Sequence, residues 1–136
     1  MTAPTQVIMD WIVSLGWDNR EESGYALRAG PEIRDAPDKI VHITGGGGPG
    51  YTTEEPATDA WAFQARVRGP SDDPLTAEDT AGLLDKMILG ASFPTSVDGV
   101  KIVHVHRLAG RPAPLPLDPA DRRFEFTCNY VMIAGV

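Results

Sequence analysis

Cysteine is almost missing from this chain: Cys128 is the only one among 136 residues. A single thiol excludes an intramolecular disulfide and a cysteine-rich zinc cage. Positive charge is also scarce, with 12 Lys and Arg against 19 Asp and Glu and a formal net charge of -7. That balance works against wrapping nucleic acid by phosphate neutralisation and against docking on an anionic membrane face. No long apolar run is present. The stretch 7–15 is interrupted by Asp10 and falls short of the roughly 20 apolar residues that span a bilayer. The N-terminus lacks the basic region of an export signal. These absences predict a chain that stays in an aqueous compartment, and a free thiol fits a reducing cytoplasm. What is there is globular: hydrophobic residues make up 42%. A chain of this length forms one domain that buries roughly two-thirds of its unfolded surface without a disulfide or metal.

Read in order, residues 5–15 predict a helix, because Val7, Ile8, Trp11, Ile12 and Leu15 fall on one stripe and Gly16 follows as a stop. A polar connection runs over 18–38, with a short strand around 25–27 inside it. Residues 39–44 form a β-branched run that reads as a strand. Residues 60–68 alternate, with Trp61, Phe63, Ala65 and Val67 on one face and Gln64, Arg66 and Arg68 on the other. Asp73 before Pro74 is the signature of a capped helix start, and Ala77, Ala81, Leu84 and Ile88, widened by Met87, give that helix its buried stripe as far as Gly90. Strands over 100–108 and 123–133 follow, the second carrying Phe124, Phe126, Cys128, Tyr130 and Met132 on one face. The expectation is a single α+β domain over 1–136, in the order α-β-β-α-β-β. A mainly antiparallel four-stranded sheet would carry two helices packed on one face. A flexible loop is expected at 45–59 and a proline-rich arm at 110–120, where Pro112, Pro114, Pro116 and Pro119 disfavour helix and central strand.

The residues offer little that reads as an active site. The glycines of 45–50 lead into Tyr51, Thr52, Thr53, Glu54 and Glu55, with no lysine and no helix start, so they do not make a phosphate loop. His104 and His106 project from one strand face. Together with His42 on another strand they would form a zinc site for a small metal-dependent hydrolase. Cys128 followed by Asn129 evokes a thiol nucleophile, but its aromatic neighbours Phe126 and Tyr130 mark it as a small core hydrophobe. The carboxylates Asp72, Asp73, Glu78 and Asp79 read as caps and solvated groups, as do Glu54 and Glu55. Arg66 and Arg68 share a polar strand face, which either keeps that face in solvent or pairs with acid on another subunit. A non-enzymatic protein without cofactor or metal is the expectation. A ligand-binding module using the concave side of the sheet is a further class.

Several stretches resemble the tail-terminator and minor capsid proteins of tailed bacteriophages, especially those of actinobacterial hosts. They are Pro37-Asp38-Lys39-Ile40-Val41-His42-Ile43-Thr44 with the glycines after it, and Phe63-Gln64-Ala65-Arg66-Val67-Arg68-Gly69-Pro70. The helix through Ala81-Gly82-Leu83-Leu84-Asp85 belongs with them. So do Pro114-Leu115-Pro116-Leu117 and the run from Arg123 through Phe126-Thr127-Cys128-Asn129-Tyr130. The resemblance implies a virion protein, assembled in the host cytoplasm. It would form a ring, in this family commonly of six copies, on the head-proximal end of the tail tube. There it would end polymerisation of the major tail tube protein and join a head-completion or stopper protein; membership among those stopper proteins is the alternative. DNA would pass through the lumen without sequence-specific binding, and no membrane is involved. On this reading the contacts with other subunits or partners fall on Gly45, Gly46, Gly47, Gly48 and Tyr51 of the loop, Arg66 and Arg68 of the strand, and Pro112, Pro114, Leu115 and Pro116 of the arm.

Overall fold

A computed structural model describes residues 3–18, 25–29, 39–45, 58–108, 110–115 and 122–135. Its spine is the antiparallel pair of two long strands, β3 (Thr58–Ser71) and β7 (Arg123–Gly135), which stay in register from Thr58 opposite Gly135 to Arg68 opposite Glu125. The alternation of β3 holds: Phe63, Ala65 and Val67 are buried, facing Tyr130, Cys128 and Phe126 of β7. Aromatic and β-branched cross-strand pairs of this kind are what stabilise a ladder.

On the β3 side lie β2 (Ile40–Gly45), antiparallel to β3, and then β1 (Ala26–Ala29), parallel to β2. On the β7 side lie β5 (Val100–Arg107) and the short β4 (Thr95–Val97), while β6 (Ala113–Pro114) pairs with β7 off the main path. The expected four-stranded, mainly antiparallel sheet is therefore corrected. The sheet has seven strands and is mixed, in the order β1-β2-β3-β7-β5-β4, and it curls into a half-barrel. Of the three additional strands, β1 lies where a short strand is expected around 25–27, and β4 and β6 span three and two residues, too short to show a period of two in a sequence. The α+β class with two helices stands.

The curl follows from where the helices sit. α1 (Pro4–Ser14) touches β1 and β2 at one end of the sheet and β4 at the other, so the sheet wraps round it. Its stripe is the predicted one, with Val7, Ile8, Trp11 and Ile12 buried. Gly16, at φ +102, turns the chain off the helix end in a conformation that side chains resist. α2 (Pro74–Leu89) lies across β3, β7 and β5. Asp73 caps it, accepting from the Thr76 backbone N–H at 3.1 Å and from the Thr76 hydroxyl at 2.6 Å. One hydrophobic core joins both helices to the sheet.

Two glycines predict opposite effects of the same change. A Cβ on Gly69 of β3 would lie 2.9 Å from the Ala77 Cβ and 3.2 Å from its backbone N, so α2 sits this close only because Gly69 is bare. A Cβ on Gly82 in the middle of α2 would meet nothing within 4 Å among the described residues. Gly69→Ala should lower stability by about 1–3 kcal/mol through overpacking. Gly82→Ala should raise it by about 0.5–1 kcal/mol through helix propensity. Urea denaturation midpoints of the two variants check the signs.

Candidate functional site

The buried stripe of α2 contains a residue that does not belong to an apolar face. Asp85 is 8% exposed and stands beside Leu84, among Ala77, Ala81 and Ile88. Burying a carboxylate is costly unless its oxygens are bonded. Here both are. The Tyr130 hydroxyl of β7 donates to Oδ1 at 2.7 Å, and the Arg107 Nη1 of β5 donates to Oδ2 at 2.5 Å. The Cys128 thiol lies 3.9 Å from Oδ1 and 3.8 Å from the Gly110 carbonyl oxygen. The Tyr130 ring stacks on Phe63 at 5.2 Å between centroids. One helix and two strands thus meet on a single carboxylate.

Two members of the cluster, Tyr130 and Cys128, are kept protonated at neutral pH. Burial, with the hydrogen bonds to Cys128 and Asp85 adding to it, pushes the Tyr130 hydroxyl far above the usual phenol range. Burial also raises the Cys128 thiol, and the Asp85 charge acts in the same direction. A thiol so disposed is a poor nucleophile, because the thiolate is the reactive form. The arrangement ties elements together; it does not present an activated group. The sequence pattern alone missed Asp85, whose carboxylate sits at a position belonging to the Ala81–Leu84–Ile88 stripe. That displaced polar residue was the available signal.

The three histidines are not brought together. His42 is 3% exposed on β2, opposite Arg66, which lies opposite Thr127. His104 and His106 are exposed on β5, opposite Ile133 and Val131. His42 is thus three strands across and several residues along, about 20 Å away at ordinary strand spacings. Metal ligation by that trio is ruled out by distance. Among the described residues no group of three His, Cys, Asp or Glu could hold a metal ion. No described helix is long and apolar enough to cross a membrane.

Of the expected contact residues, Gly46, Gly47, Gly48, Tyr51 and Pro116 lie outside the described residues. Gly45 ends β2 and Thr58 and Asp59 begin β3, so the loop is shorter than 45–59. Arg66 bonds Glu125 on the neighbouring strand at 2.9 Å. Arg68 is 1% exposed, which corrects its placement in solvent. It lies opposite Ile40, and Ile40, Ala26 and His42 on the same sheet face are buried too, so this end of the sheet is covered on both faces. Ala113 and Pro114 pair with Thr127 and Phe126, and the Leu115 N–H donates to the Glu125 carbonyl at 2.9 Å. The first half of the proline arm is thus an edge strand on this chain's own sheet, and Pro112 is half-buried beside it.

Two other surfaces stand out. One side of β5 over 103–107 carries no strand among the described residues, since β4 pairs only with 100–102. On α2, Leu83 forms a ridge between two open grooves. One, of about 610 Å³, is lined by Glu78, Asp79, Gly82, Lys86 and Arg111 among others; the other, of about 330 Å³, by Trp17, Tyr25 and Met87 among others. Compared with models of known protein families and with curated proteins, the chain matches none.

Tyr130→Phe should destabilise the fold by about 1–3 kcal/mol, because it leaves a buried carboxylate oxygen short of a donor. The raised Tyr130 and Cys128 groups fix the sign of a pH effect. The unfolded chain ionises near the ordinary values of 9.0 and 10.0 while the buried groups stay protonated. Stability is therefore full below pH 9 and falls as pH rises beyond it. Denaturation midpoints between pH 8 and about 11 should fall in the wild type and fall less in Tyr130→Phe.

Proposed function

We propose that this chain is a structural protein of a tailed phage, forming a ring that caps the head-proximal end of the tail tube. The ring ends polymerisation of the tube protein and offers its other face to a head-completion protein. One observation carries the reading: the polar centre at Asp85 is spent on internal bonds, while among the described residues no strand pairs with the outer edge of 103–107 and α2 keeps an exposed face with leucines on it. Strand edges and apolar helix faces left open invite association. The sequence resemblance over 37–44, 63–70, 81–85 and 114–130 supports the same role. A heterologous contact between two different patches closes into a ring when the rotation between copies allows it. The net charge of -7 suits a passage through which DNA slides, because like charge opposes phosphate binding.

Growth of the tube measures this directly. Purified chain added to polymerising tail tube protein should arrest elongation and leave tubes of fixed length with one blunt, ringed end. Tubes that grow on past an excess of the chain would contradict the role.

A further inference from the structure

We propose that the outward face of α2 is self-complementary, and that two copies of this chain pair through it as an antiparallel dimer with its two-fold axis at Gly82. The first observation is the order of the exposed residues. On α2 these are Leu75, Glu78, Asp79, Leu83, Lys86 and Leu89. In an antiparallel pair centred on Gly82, each residue faces the one equally far along on the other side of position 82. Leu75 then meets Leu89, and Glu78 meets Lys86. Each contact occurs twice, once in either direction. At about 3.6 residues per turn, Leu75, Glu78, Gly82, Lys86 and Leu89 fall within about 80° of arc. That arc points away from the stripe of Ala77, Ala81, Leu84 and Ile88 packed on the sheet.

The second observation is charge. Among the described residues Glu78, Asp79 and Lys86 make no ion pair, so both signs are left for a partner. Acid stands towards the N-terminal end of the face and base towards its C-terminal end. A parallel pair would set Glu78 and Lys86 against their own copies, whereas the antiparallel pair sets each against the other. The groove of about 610 Å³ beside α2 carries both signs too, since Glu78 and Asp79 line it together with Lys86 and Arg111. Asp85 would face Asp79 of the second copy. Its own charge is already matched by Arg107, and Arg111 stands in the same groove.

The third observation is Gly82 at the centre of this pattern. A Cβ there would meet nothing within 4 Å among the described residues, although glycine in a helix interior is destabilising relative to Ala. What the bare position allows is the close approach of a second helix, as small residues do where helices cross tightly. One helix face buries less area than a standard interface, so the dimer is a weak one whose population follows concentration. A two-fold contact is satisfied by two copies and does not propagate. The inference is therefore independent of the ring reading and is scored without tube protein.

Sedimentation equilibrium of the full chain over a series of concentrations tests it. The wild type should dimerise as concentration rises, and the dimer should weaken as salt goes from about 0.05 to 0.5 M. Glu78→Lys places lysine opposite Lys86, and Lys86→Glu places glutamate opposite Glu78. Each alone should weaken the dimer about tenfold. An equimolar mixture of the two variants should recover it, because every facing pair is then matched, and so should the double variant. Gly82→Leu should weaken the dimer about tenfold or more, while the thermal midpoint of the dilute monomer does not fall. A chain that stays monomeric throughout, a dimer indifferent to the charge reversals or to Gly82→Leu, or a mixture that fails to recover would each overturn the proposal. Failure of tube arrest leaves this dimer standing, and loss of the dimer leaves the ring reading standing.

Discussion

The carboxylate of Asp85 decides which way α2 faces. Leucines lie on every side of that helix: Leu84 is buried, and Leu75, Leu83 and Leu89 are exposed. The buried stripe itself relies on the small residues Ala77 and Ala81. An apolar pattern of this kind sets the rotation of a helix only loosely. A carboxylate that must meet both Tyr130 and Arg107 sets it closely, because any other rotation would bury the charge without donors. Buried ion pairs contribute little net stability compared with apolar packing, yet breaking one costs several kcal/mol. The role of Asp85 is accordingly one of specificity, and Gly69 complements it by letting Ala77 close on β3.

That fixed rotation links the core to the surface. With Leu84 and Ile88 against the sheet, Glu78, Asp79, Leu83 and Lys86 are exposed on the other side of the helix, and Asp85 lies at the margin between the two. The Asp85–Arg107 ion pair reaches β5, so that strand is anchored to α2. The half-barrel, built on the long β3–β7 ladder and wrapped on α1, supplies the frame on which both elements are held. The proline-rich arm is partly committed within this frame. The first half of that arm already serves this chain's own sheet as β6.

Much of the frame was legible in the sequence, because it depends on periodicity and on local chemistry. The stripe Val7, Ile8, Trp11 and Ile12, the alternation from Phe63 to Val67, and Asp73 with Pro74 at a helix start each report a local rule, and each holds. What was illegible depends on partners distant in the chain. β4 spans three residues and β6 two, and pairing alone makes them strands. Arg68 reads as a solvent residue until β1 and β2 are seen to have buried faces on both sides. Asp85 reads as one more helix carboxylate until Arg107 and Tyr130, 22 and 45 residues away, arrive beside it. The histidines failed for the same reason: spacing along one strand places His104 beside His106 but says nothing of how far off His42 lies.

The central claim is that this chain acts by position and adhesion within a virion, and the most direct measurement is where it sits. Gold-labelled antibody against the chain, viewed by electron microscopy on intact phage particles, should mark one cluster at the junction of head and tail. Label along the whole tube, over the head shell, or absent from particles altogether would contradict the account.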